Sequence, residues 1–417
     1  MPNDDSETRS DARPGDYVWR NSQAASLLRF GEGAALAAGG FGYLDDEGTV
    51  DPHSVRELYI TARMTHVYSL AALQDPSDGR ARALAKHGAH ALRTIFHDKI
   101  HDGWFNSLEA TDHPHDDTKT CYGHAFVLLA AASAAAAQIE GASDLLKQAQ
   151  EVVAERFWRQ DEGRCAESFQ RDWSGEEQYR GANSNMHAVE SFISCADVSG
   201  DQVWRERALS IAEHLIAGAA ASNNWRLPEH FDAKWTPDLQ YNSADREHRF
   251  RPFGFTPGHA LEWARLLVCL HAGSATPAEW LLPAARRLFE DAVAVGWAAD
   301  GQPGFVYTLD WQDQVVTETR MSWVLAEAIL AADAVGRATG KESLSAQSQP
   351  WWNLLDQKVI DHKRHSSWNS ELNPSGQPTQ KVWSGKPDIY HFYQLVIFPD
   401  LPLAPCAAAA LVRDNRA

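Results

Sequence analysis

Five histidines and one tryptophan stand near the starts of six helical segments in this 417-residue chain. An imidazole has an ordinary pKa of about 6.5, so it can take and return a proton near neutral pH. A ring of such side chains at one end of a fold is therefore suited to acid–base chemistry. The six segments read "ARMTHVYSLA" (His66), "KTCYGHAFVLLA" (His124), "SNMHAVESF" (His187), "TPGHALEWARLL" (His259), "ETRMSWVLAEA" (Trp323) and "PDIYHFYQLVI" (His391).

Three of these histidines have a polar residue three positions later, which is the spacing of neighbours on one face of a helix. For His66 and His124 the corresponding residue is small or apolar, so a structural role is as well supported as a functional one. A polar partner favours the functional interpretation for the other three. The pairs are His187 with Glu190, His259 with Glu262, and His391 with Gln394.

Three kinds of chemistry could use this ring. A metal could bind His187, His259 and Glu262, but these residues form no HxxxH or HExxH pair, so we predict no metal. Glycoside hydrolysis needs two carboxylates around the scissile bond, whereas here imidazoles outnumber acids. The third possibility, proton transfer by an imidazole, is the one that remains, and we expect Glu262 to fix the tautomer of His259.

The segments that must position these side chains recur with a period near sixty residues. Short stretches rich in glycine and aromatics mark each unit, for example "GGFGYLDDEG", "HDGWFNS" and "DGQPGFVYTLDW". The marker positions are Gly42, Gly103, Gly163, Trp225, Gly304 and Ser367, and the intervals between them are 61, 60, 62, 79 and 63 residues.

Each marker lies between two helical patterns, and a single helix pair is too thin to bury its own apolar face. Six stacked pairs predict an all-α fold, an (α/α)6 barrel with short β-hairpin-like loops at one end. Alanine-rich runs such as "HAFVLLAAASAAAA" allow close approach of the helices. An open helical solenoid is the alternative. We expect residues 1–15 to be a disordered tail and residues 16–417 to form one barrel domain.

The long interval between Phe231 and Gly258 contains three prolines and the aromatic sequence "FRPFGF". A loop of this length in a compact domain is usually functional. We predict that it forms a wall or lid over one end of the barrel cavity.

The amino-acid composition of the chain limits the kinds of partner that it can bind. The formal charge is −18, from 38 basic and 56 acidic residues, which argues against nucleic acid and anionic membranes. No apolar run approaches the ~20 residues of a membrane span. Five scattered cysteines without a CxxC pair, and a polar start without an apolar signal, lead us to expect a cytoplasmic protein with free thiols. A homo-oligomer is left open.

Three motifs give the chain a resemblance to a known family. "NSNMHAVESF", "LPEHFD" and "FRPFGFTPGHALEWARLL" resemble the aldose–ketose isomerase branch of the N-acylglucosamine 2-epimerase superfamily. The resemblance runs from the helix of Arg63 to "YHFYQ". It implies an (α/α)6 barrel, no cofactor, and a monosaccharide substrate that reacts through a cis-enediol intermediate.

The resemblance also implies roles for individual residues. His391 corresponds to the base that moves a proton between C1 and C2, and His259 to the partner that assists ring opening, with Glu262 orienting it. Residues that hold the sugar hydroxyls and stabilise the enediolate correspond to Arg63, Tyr122, Asn183, His187 and Arg249. We interpret Trp323 and Trp383 as apolar walls for the sugar, or as ordinary core.

The expected reaction is the interconversion of D-mannose and D-fructose, with D-lyxose and D-xylulose as further substrates. Glu371 is expected to face the far end of the cavity, where a carboxylate would repel a sulfonate and accept hydrogen bonds from a hydroxyl. A Glu371 that points to solvent would carry no such information. The alternatives are a sulfoquinovose isomerase, a sugar 2-epimerase, and a non-catalytic sugar-binding protein.

Overall fold

The computed structural model describes residues 12–364 and 367–415, and these residues are dominated by helices. The helices are α1 (Tyr17–Gly31), α2 (Leu58–Gln74), α3 (Gly79–Thr94), α4 (Cys121–Ala136), α5 (Ala142–Val152), α6 (Ala182–Ser199), α7 (Val203–Ala212), α8 (Pro257–Ala272), α9 (Leu281–Gly296), α10 (Ser322–Thr339), α11 (Glu342–Gln347), α12 (Gln349–Leu354), α13 (Tyr390–Ile397) and α14 (Ala407–Asp414). Three outer helices continue into π-helical turns at Val153–Phe157, Glu213–Ala220 and Leu355–Val359, and 3-10 turns occupy Glu32–Ala34 and Phe398–Asp400.

Six of these helices form a closed inner ring, in the order α2, α4, α6, α8, α10 and α13. Each inner helix contacts the next, and α13 also contacts α2. The outer layer contains α3, α5, α7, α9 and α11, and α1 from the start of the chain packs on α13 near its end. The predicted (α/α)6 barrel is confirmed, and the open solenoid is wrong because first and last inner helices meet.

The burial of each helix explains its layer. In α2 every residue from Leu58 to Leu73 is buried, whereas α3 buries only a stripe that includes Ala81, Ala85 and Leu92. A helix that is apolar all round belongs inside, and one with a single apolar stripe belongs at the surface. In α4 the alanines bring neighbouring backbones close together.

The inner helices begin and end at residues suited to those positions. Pro257 occupies the first turn of α8, where a missing N–H costs nothing. The α6 and α10 helices end at Gly200 and Gly340 with φ of 80° and 66°, a left-handed conformation that glycine adopts without strain. Thr120 accepts a hydrogen bond from the Gly123 N–H at the start of α4.

Short strands connect the helices at the end where the inner helices start. They are β1 (Arg56–Glu57), β2 (Ser107–Leu108), β3 (Pro114–Asp116), β4 (Lys119–Thr120), β5 (Trp158–Arg159), β6 (Arg164–Cys165), β7 (Ser168–Phe169), β8 (Arg180–Gly181), β9 (His230–Phe231), β10 (Thr308–Leu309), β11 (Val315–Thr317), β12 (Arg320–Met321), β13 (Ile360–Asp361), β14 (Ser367–Trp368) and β15 (Glu371–Leu372). Strands β1, β4, β8 and β12 each lead directly into an inner helix and pair antiparallel with a strand of the following loop, namely β2, β7, β9 and β15. These ladders fix the starts of the inner helices relative to one another. The predicted hairpin-like loops are confirmed by other pairs, namely β2 with β3, β5 with β6, β10 with β11 and β13 with β14.

The chain ends close the barrel from outside the ring. Helix α14 packs on α2, α4 and α6, and the Cys406 N–H donates to Asp197 at 2.7 Å. Residues 1–11 of the expected tail lie outside the described residues. Pro14 accepts a hydrogen bond from Gln349 at 3.0 Å, so the last part of residues 1–15 contacts the barrel. Among the described helices, we find none with the length and apolarity needed to cross a membrane.

Candidate active site

The starts of the inner helices surround a cavity with about 830 Å³ of empty space, which is partly open to solvent. Ten of the eleven site residues predicted from sequence line it, and the exception is Glu371. The ten are Arg63, Tyr122, Asn183, His187, Arg249, His259, Glu262, Trp323, Trp383 and His391. Seven lining residues were not predicted, namely Phe250, Tyr307, Met321, Ser370, Pro387, Asp388 and Phe392. Arg249 and Phe250 come from the long loop between Phe231 and Gly258, which therefore forms a wall of the cavity as predicted.

His391 is held by a buried carboxylate. Its Nδ1 lies 2.9 Å from Oε1 of Glu327, and Oε2 of Glu327 accepts from Nε of Arg265 at 3.0 Å. Burial alone would raise the pKa of Glu327, but Arg265 and His391 outweigh it and lower the pKa. An ionised carboxylate on Nδ1 fixes the proton there, so the lone pair of Nε2 is the one available as a base.

His259 is oriented in the same way, but not by the predicted partner. Its Nδ1 lies 3.0 Å from Oε1 of Glu229, the carboxylate of "LPEHFD". The expected pairing with Glu262 is wrong. Helical side chains lean toward the helix N-terminus, so His259 in the first turn reaches up to the loop layer while Glu262 lies one turn deeper. The His259 Nδ1–H thus donates to Glu229, and Nε2 remains free.

Trp323 lies between the two imidazoles. Its ring centroid is 5.4 Å from that of His259 and 5.5 Å from that of His391, with interplanar angles of 32° in both cases. The two histidines therefore flank one indole, and both line the same cavity.

Glu262 is buried at the floor of the cavity with 1% of its surface exposed. Its Oε1 is 3.6 Å from Nη2 of Arg265 and 3.8 Å from Nδ1 of His187. Burial and the neighbouring Glu327 raise the pKa of Glu262 well above its ordinary value, against the opposing effect of Arg265. A protonated carboxyl at this point can donate a hydrogen bond to a substrate oxygen.

His187 is a neutral imidazole beside an ionised carboxylate. Burial lowers the pKa of His187 to about 4, although Glu190 at 3.4 Å from its Nδ1 opposes that shift. Glu190 also accepts hydrogen bonds from the hydroxyl of Tyr390 and, at 3.2 Å, from Nε2 of Gln394. The predicted pairing of His187 with Glu190 is confirmed. Gln394 contacts Glu190 rather than His391, so that predicted pairing is wrong.

Arg63 supplies a fixed positive charge on the opposite wall. Its Nη1 donates to Asp388 at 3.1 Å and its Nη2 to the Tyr122 hydroxyl at 2.9 Å. The guanidinium carbon lies 4.3 Å from the ring centroid of Phe126 and 4.9 Å from that of Tyr390. Neighbouring tyrosines and Asp388 raise the pKa of Arg63 although burial opposes this, so the group stays charged.

The outer part of the cavity is aromatic. The guanidinium of Arg249 stacks on Trp383 with 3.8 Å between its carbon and the ring centroid, and Phe250 meets Trp383 edge-on at 5.3 Å. Nη2 of Arg249 donates to the Tyr43 hydroxyl at 3.2 Å. This layer could cover one face of a bound sugar.

Glu371 does not face the cavity, and it does not point to solvent. Only 1% of its surface is exposed, and its carboxylate accepts the N–H groups of Lys381, Val382 and Trp383 at 2.8, 3.0 and 2.8 Å. The backbone donors of this loop satisfy the buried charge, which removes it from the substrate space. Glu371 therefore supports the segment that carries Trp383, and the prediction of a direct substrate contact is wrong.

Among the described residues, two sets of three side chains bring ligand atoms within 4.8 Å of one another: His187 with Glu190 and Glu262, and Glu262 with Glu327 and His391. Both sets contain Glu262, whose carboxyl lies 3.6 Å from Arg265. Nε of Arg265 also contacts Glu327. A guanidinium thus already provides positive charge between these carboxylates, a position a divalent cation would otherwise take.

The sequence profile of the N-acylglucosamine 2-epimerase family matches residues 39–395, most of the chain. The chain belongs to this family. The sequence is 46% identical to a D-mannose isomerase of Thermobifida fusca over 96% of this chain and 98% of the relative. It is 44% identical to a D-mannose isomerase of Pseudomonas cannabina pv. alisalensis over 95% of this chain and 96% of that one.

Solved structures agree with this assignment to the N-acylglucosamine 2-epimerase family. A crystal structure of D-mannose isomerase superposes with a TM-score of 0.85 at 26% identity, covering 97% of this chain and 100% of that chain. The cellobiose 2-epimerase of Spirochaeta thermophila DSM 6192 shares the fold with a TM-score of 0.79 at 20% identity, covering 98% and 100% of the two chains.

Two members of the predicted histidine ring, His66 and His124, lie away from the active-site cavity. Nδ1 of His66 contacts the Ser133 hydroxyl at 2.7 Å, and burial lowers the pKa of His66 to about 4. Nδ1 of His124 donates to the Thr120 carbonyl at 2.7 Å while its Nε2 accepts the Trp104 N–H at 3.1 Å. Both are satisfied core residues, which is the structural role that the sequence left open.

Sequence reasoning missed three charged residues of the site, Glu229, Glu327 and Asp388. Two of them left a signal in the sequence. Glu327 is a single acid in the apolar run "SWVLAEAILAA", and Glu229 lies in the quoted motif "LPEHFD". An acid that is nine-tenths or more buried needs a partner, and both of these have a histidine.

Proposed function

We propose that this protein is an aldose–ketose isomerase that interconverts D-mannose and D-fructose through a cis-enediol intermediate. The observation that carries the proposal is the pair of imidazoles on either side of Trp323, each with its Nδ1 on a buried carboxylate. Such a pair supplies two oriented proton-transfer groups at one cavity, which is what moving a hydrogen between adjacent sugar carbons requires. D-mannose isomerases that are 44–46% identical over nearly the full length support the choice of sugar.

In the proposed reaction His259 acts first. Its Nε2 takes the proton of the anomeric hydroxyl and returns one to the ring oxygen, which opens the hemiacetal to the free aldehyde. Glu229 stabilises the imidazolium that forms between the two transfers, since the carboxylate accepts the Nδ1–H.

His391 then moves the carbon-bound proton. Its Nε2 takes the proton from C2, the electrons form the C1–C2 double bond, and the aldehyde oxygen becomes an enediolate oxygen. The same imidazolium returns the proton to C1, while the proton of the O2 hydroxyl moves to O1, so that O2 becomes the ketone oxygen and O1 becomes a hydroxyl. Glu327 holds the ring in one orientation through both transfers.

The enediolate carries negative charge that preplaced donors must stabilise. The donors available in the cavity are Arg63, the neutral acid Glu262 and His187. Loss of one such donor typically costs on the order of 10²–10³ in rate. Asn183 and Tyr122 are proposed to hold sugar hydroxyls, and Trp383 to cover one face of the sugar.

The test is to incubate the purified chain with D-mannose in D₂O, with EDTA present, and to follow the products by NMR. We expect D-fructose, with deuterium at C1 to the extent that His391 exchanges its proton with solvent. His391→Gln and His259→Gln should each lose most of the activity, and Ser26→Ala on the outer helix α1 is the matched control. Absence of fructose would contradict the proposal, and D-glucose without free ketose would identify a 2-epimerase instead.

A second candidate substrate is an anionic hexose such as sulfoquinovose. Arg249 favours it, because no carboxylate within 4.0 Å pairs with this guanidinium among the described residues. The ratio of kcat/KM for sulfoquinovose and D-mannose decides between the two. Arg249→Gln should lower kcat/KM for the anionic sugar far more than for mannose if the former is the substrate.

A further inference from the structure

The barrel contains a second cavity at the end opposite the active-site cavity, with about 830 Å³ of empty space that is partly open to solvent. Its floor includes Glu190, Arg265 and Gln394, whose other contacts reach the active-site cavity. Its outer wall is the C-terminal segment that runs from Phe398 to α14. We refer to it as the rear cleft. None of the steps proposed above uses it.

The walls of the rear cleft are mainly apolar. Ile193, Leu266, Leu330, Phe398 and Leu403 face it from three inner helices and from the C-terminal segment. The acids Asp197 and Asp333 at its edge are paired with Arg205 and Arg337. The charges of these two acids are therefore already neutralised, and the walls favour an apolar occupant.

The floor carries a donor and an acceptor that make no hydrogen bond. Nη2 of Arg265 and Oε1 of Gln394 are buried, and neither has a hydrogen-bond partner among the described residues. Nη2 is also the ion-pair partner of Glu262, at the longer distance of 3.6 Å. The residues themselves are only 5% and 1% exposed. Buried polar atoms without partners are costly, so their presence in a cleft points to a ligand or water that satisfies them.

We infer that the rear cleft is a binding site for a small, neutral, hydroxylated amphiphile. A hydroxyl group can accept from Nη2 of Arg265 and donate to Oε1 of Gln394, and both side chains lie beside Glu190. The apolar body of the ligand fills the space between Leu266, Leu330 and Leu403. An anion is disfavoured by Glu190, whose pKa is lowered so that it stays ionised, and a cation is disfavoured by Arg265.

The test is ligand-observed ¹⁹F NMR on the full chain with a fluorophenyl-propanol as the probe. The matched probe is the fluoro-propylbenzene that lacks the hydroxyl. We expect saturable binding of the alcohol, about three- to tenfold tighter than the hydrocarbon, since one or two net hydrogen bonds are gained.

Variants locate the site without reference to catalysis. Leu403→Trp, at the half-buried entrance, should abolish binding, and Ala407→Phe is a second obstruction in case the first does not fold. Leu282→Trp on α9 and Trp383→Ala in the active-site cavity should leave binding unchanged. Absence of saturable binding, equal affinity for the two probes, or loss of binding in Trp383→Ala would overturn the inference.

Discussion

Substitution of Glu327 by glutamine tests whether a buried charge on Nδ1 makes His391 a base. The amide keeps the shape of the carboxylate but removes its charge, so the 2.9 Å contact becomes a hydrogen bond between neutral groups. A hydrogen bond to a charged group contributes about 1.5–3 kcal/mol against about 0.5–1.5 for a neutral one. If the charged contact matters only when His391 is protonated, the difference of about 1–1.5 kcal/mol should lower kcat by about 5- to 12-fold.

The assay for Glu327→Gln has two readouts. One is kcat for D-mannose measured by fructose formation, and the other is exchange of the C1 proton of D-fructose with D₂O. Both report proton transfer at His391, so they should fall by the same factor, while KM should change little. Glu327→Asp keeps the charge at a shorter reach and should retain more activity than Glu327→Gln.

A structural effect must be distinguished from a catalytic one, because Glu327 also pairs with Arg265. Leaving Arg265 partly unpaired in the core should lower the free energy of unfolding. The catalytic comparison is therefore made well below the unfolding temperature of each variant. A folded Glu327→Gln variant with kcat and proton exchange within twofold of the parent protein would refute the reasoning about His391.

Three further predictions follow from contacts described above. Glu371→Ala removes the acceptor for three N–H groups of the loop that carries Trp383, so KM for the sugar should rise several-fold in steady-state assays while kcat changes little. Arg63→Lys loses the two-sided contact with Asp388 and Tyr122 and should lower kcat by about tenfold or more, which a lysine of equal charge cannot restore. His66 is buried and its pKa is lowered to about 4, so the unfolded chain binds its proton more readily. Stability should therefore fall as the pH drops from about 6.5 toward 4, and urea unfolding of His66→Gln should show a weaker dependence over that window.

The architecture could be predicted from the sequence because it follows from a repeat. A sixty-residue period, one glycine- and aromatic-rich turn in each unit, and alanine-rich helices leave few arrangements that bury every apolar face. The closure of the ring was also accessible from the number of units. The packing of α1 on α13 could not be predicted from the sequence, because it joins the two ends of the chain.

The site was predicted less completely, for a geometric reason. The sequence alignment of the helix starts places His66 and His259 at the same height along the barrel axis. In the structure His66 lies two turns into α2, whereas His259 lies in the first turn of α8. A shift of one turn moves a side chain about 5.4 Å along the helix axis, which is enough to remove it from the cavity. Spacing along one helix also cannot reveal a partner on another element, and both Glu229 and Glu327 are such partners.

The indole of Trp323 sets the spacing of the two proposed proton carriers. Both imidazoles contact this one rigid indole, so displacing one of them disturbs the other. A change in proton transfer at one sugar carbon is therefore difficult to engineer without affecting the other. The outer part of the cavity is built differently, from a loop-borne arginine stacked on Trp383, and we refer to it here as the outer wall. Adaptation to sugars of other lengths should therefore arise at that wall, while the reacting end stays unchanged.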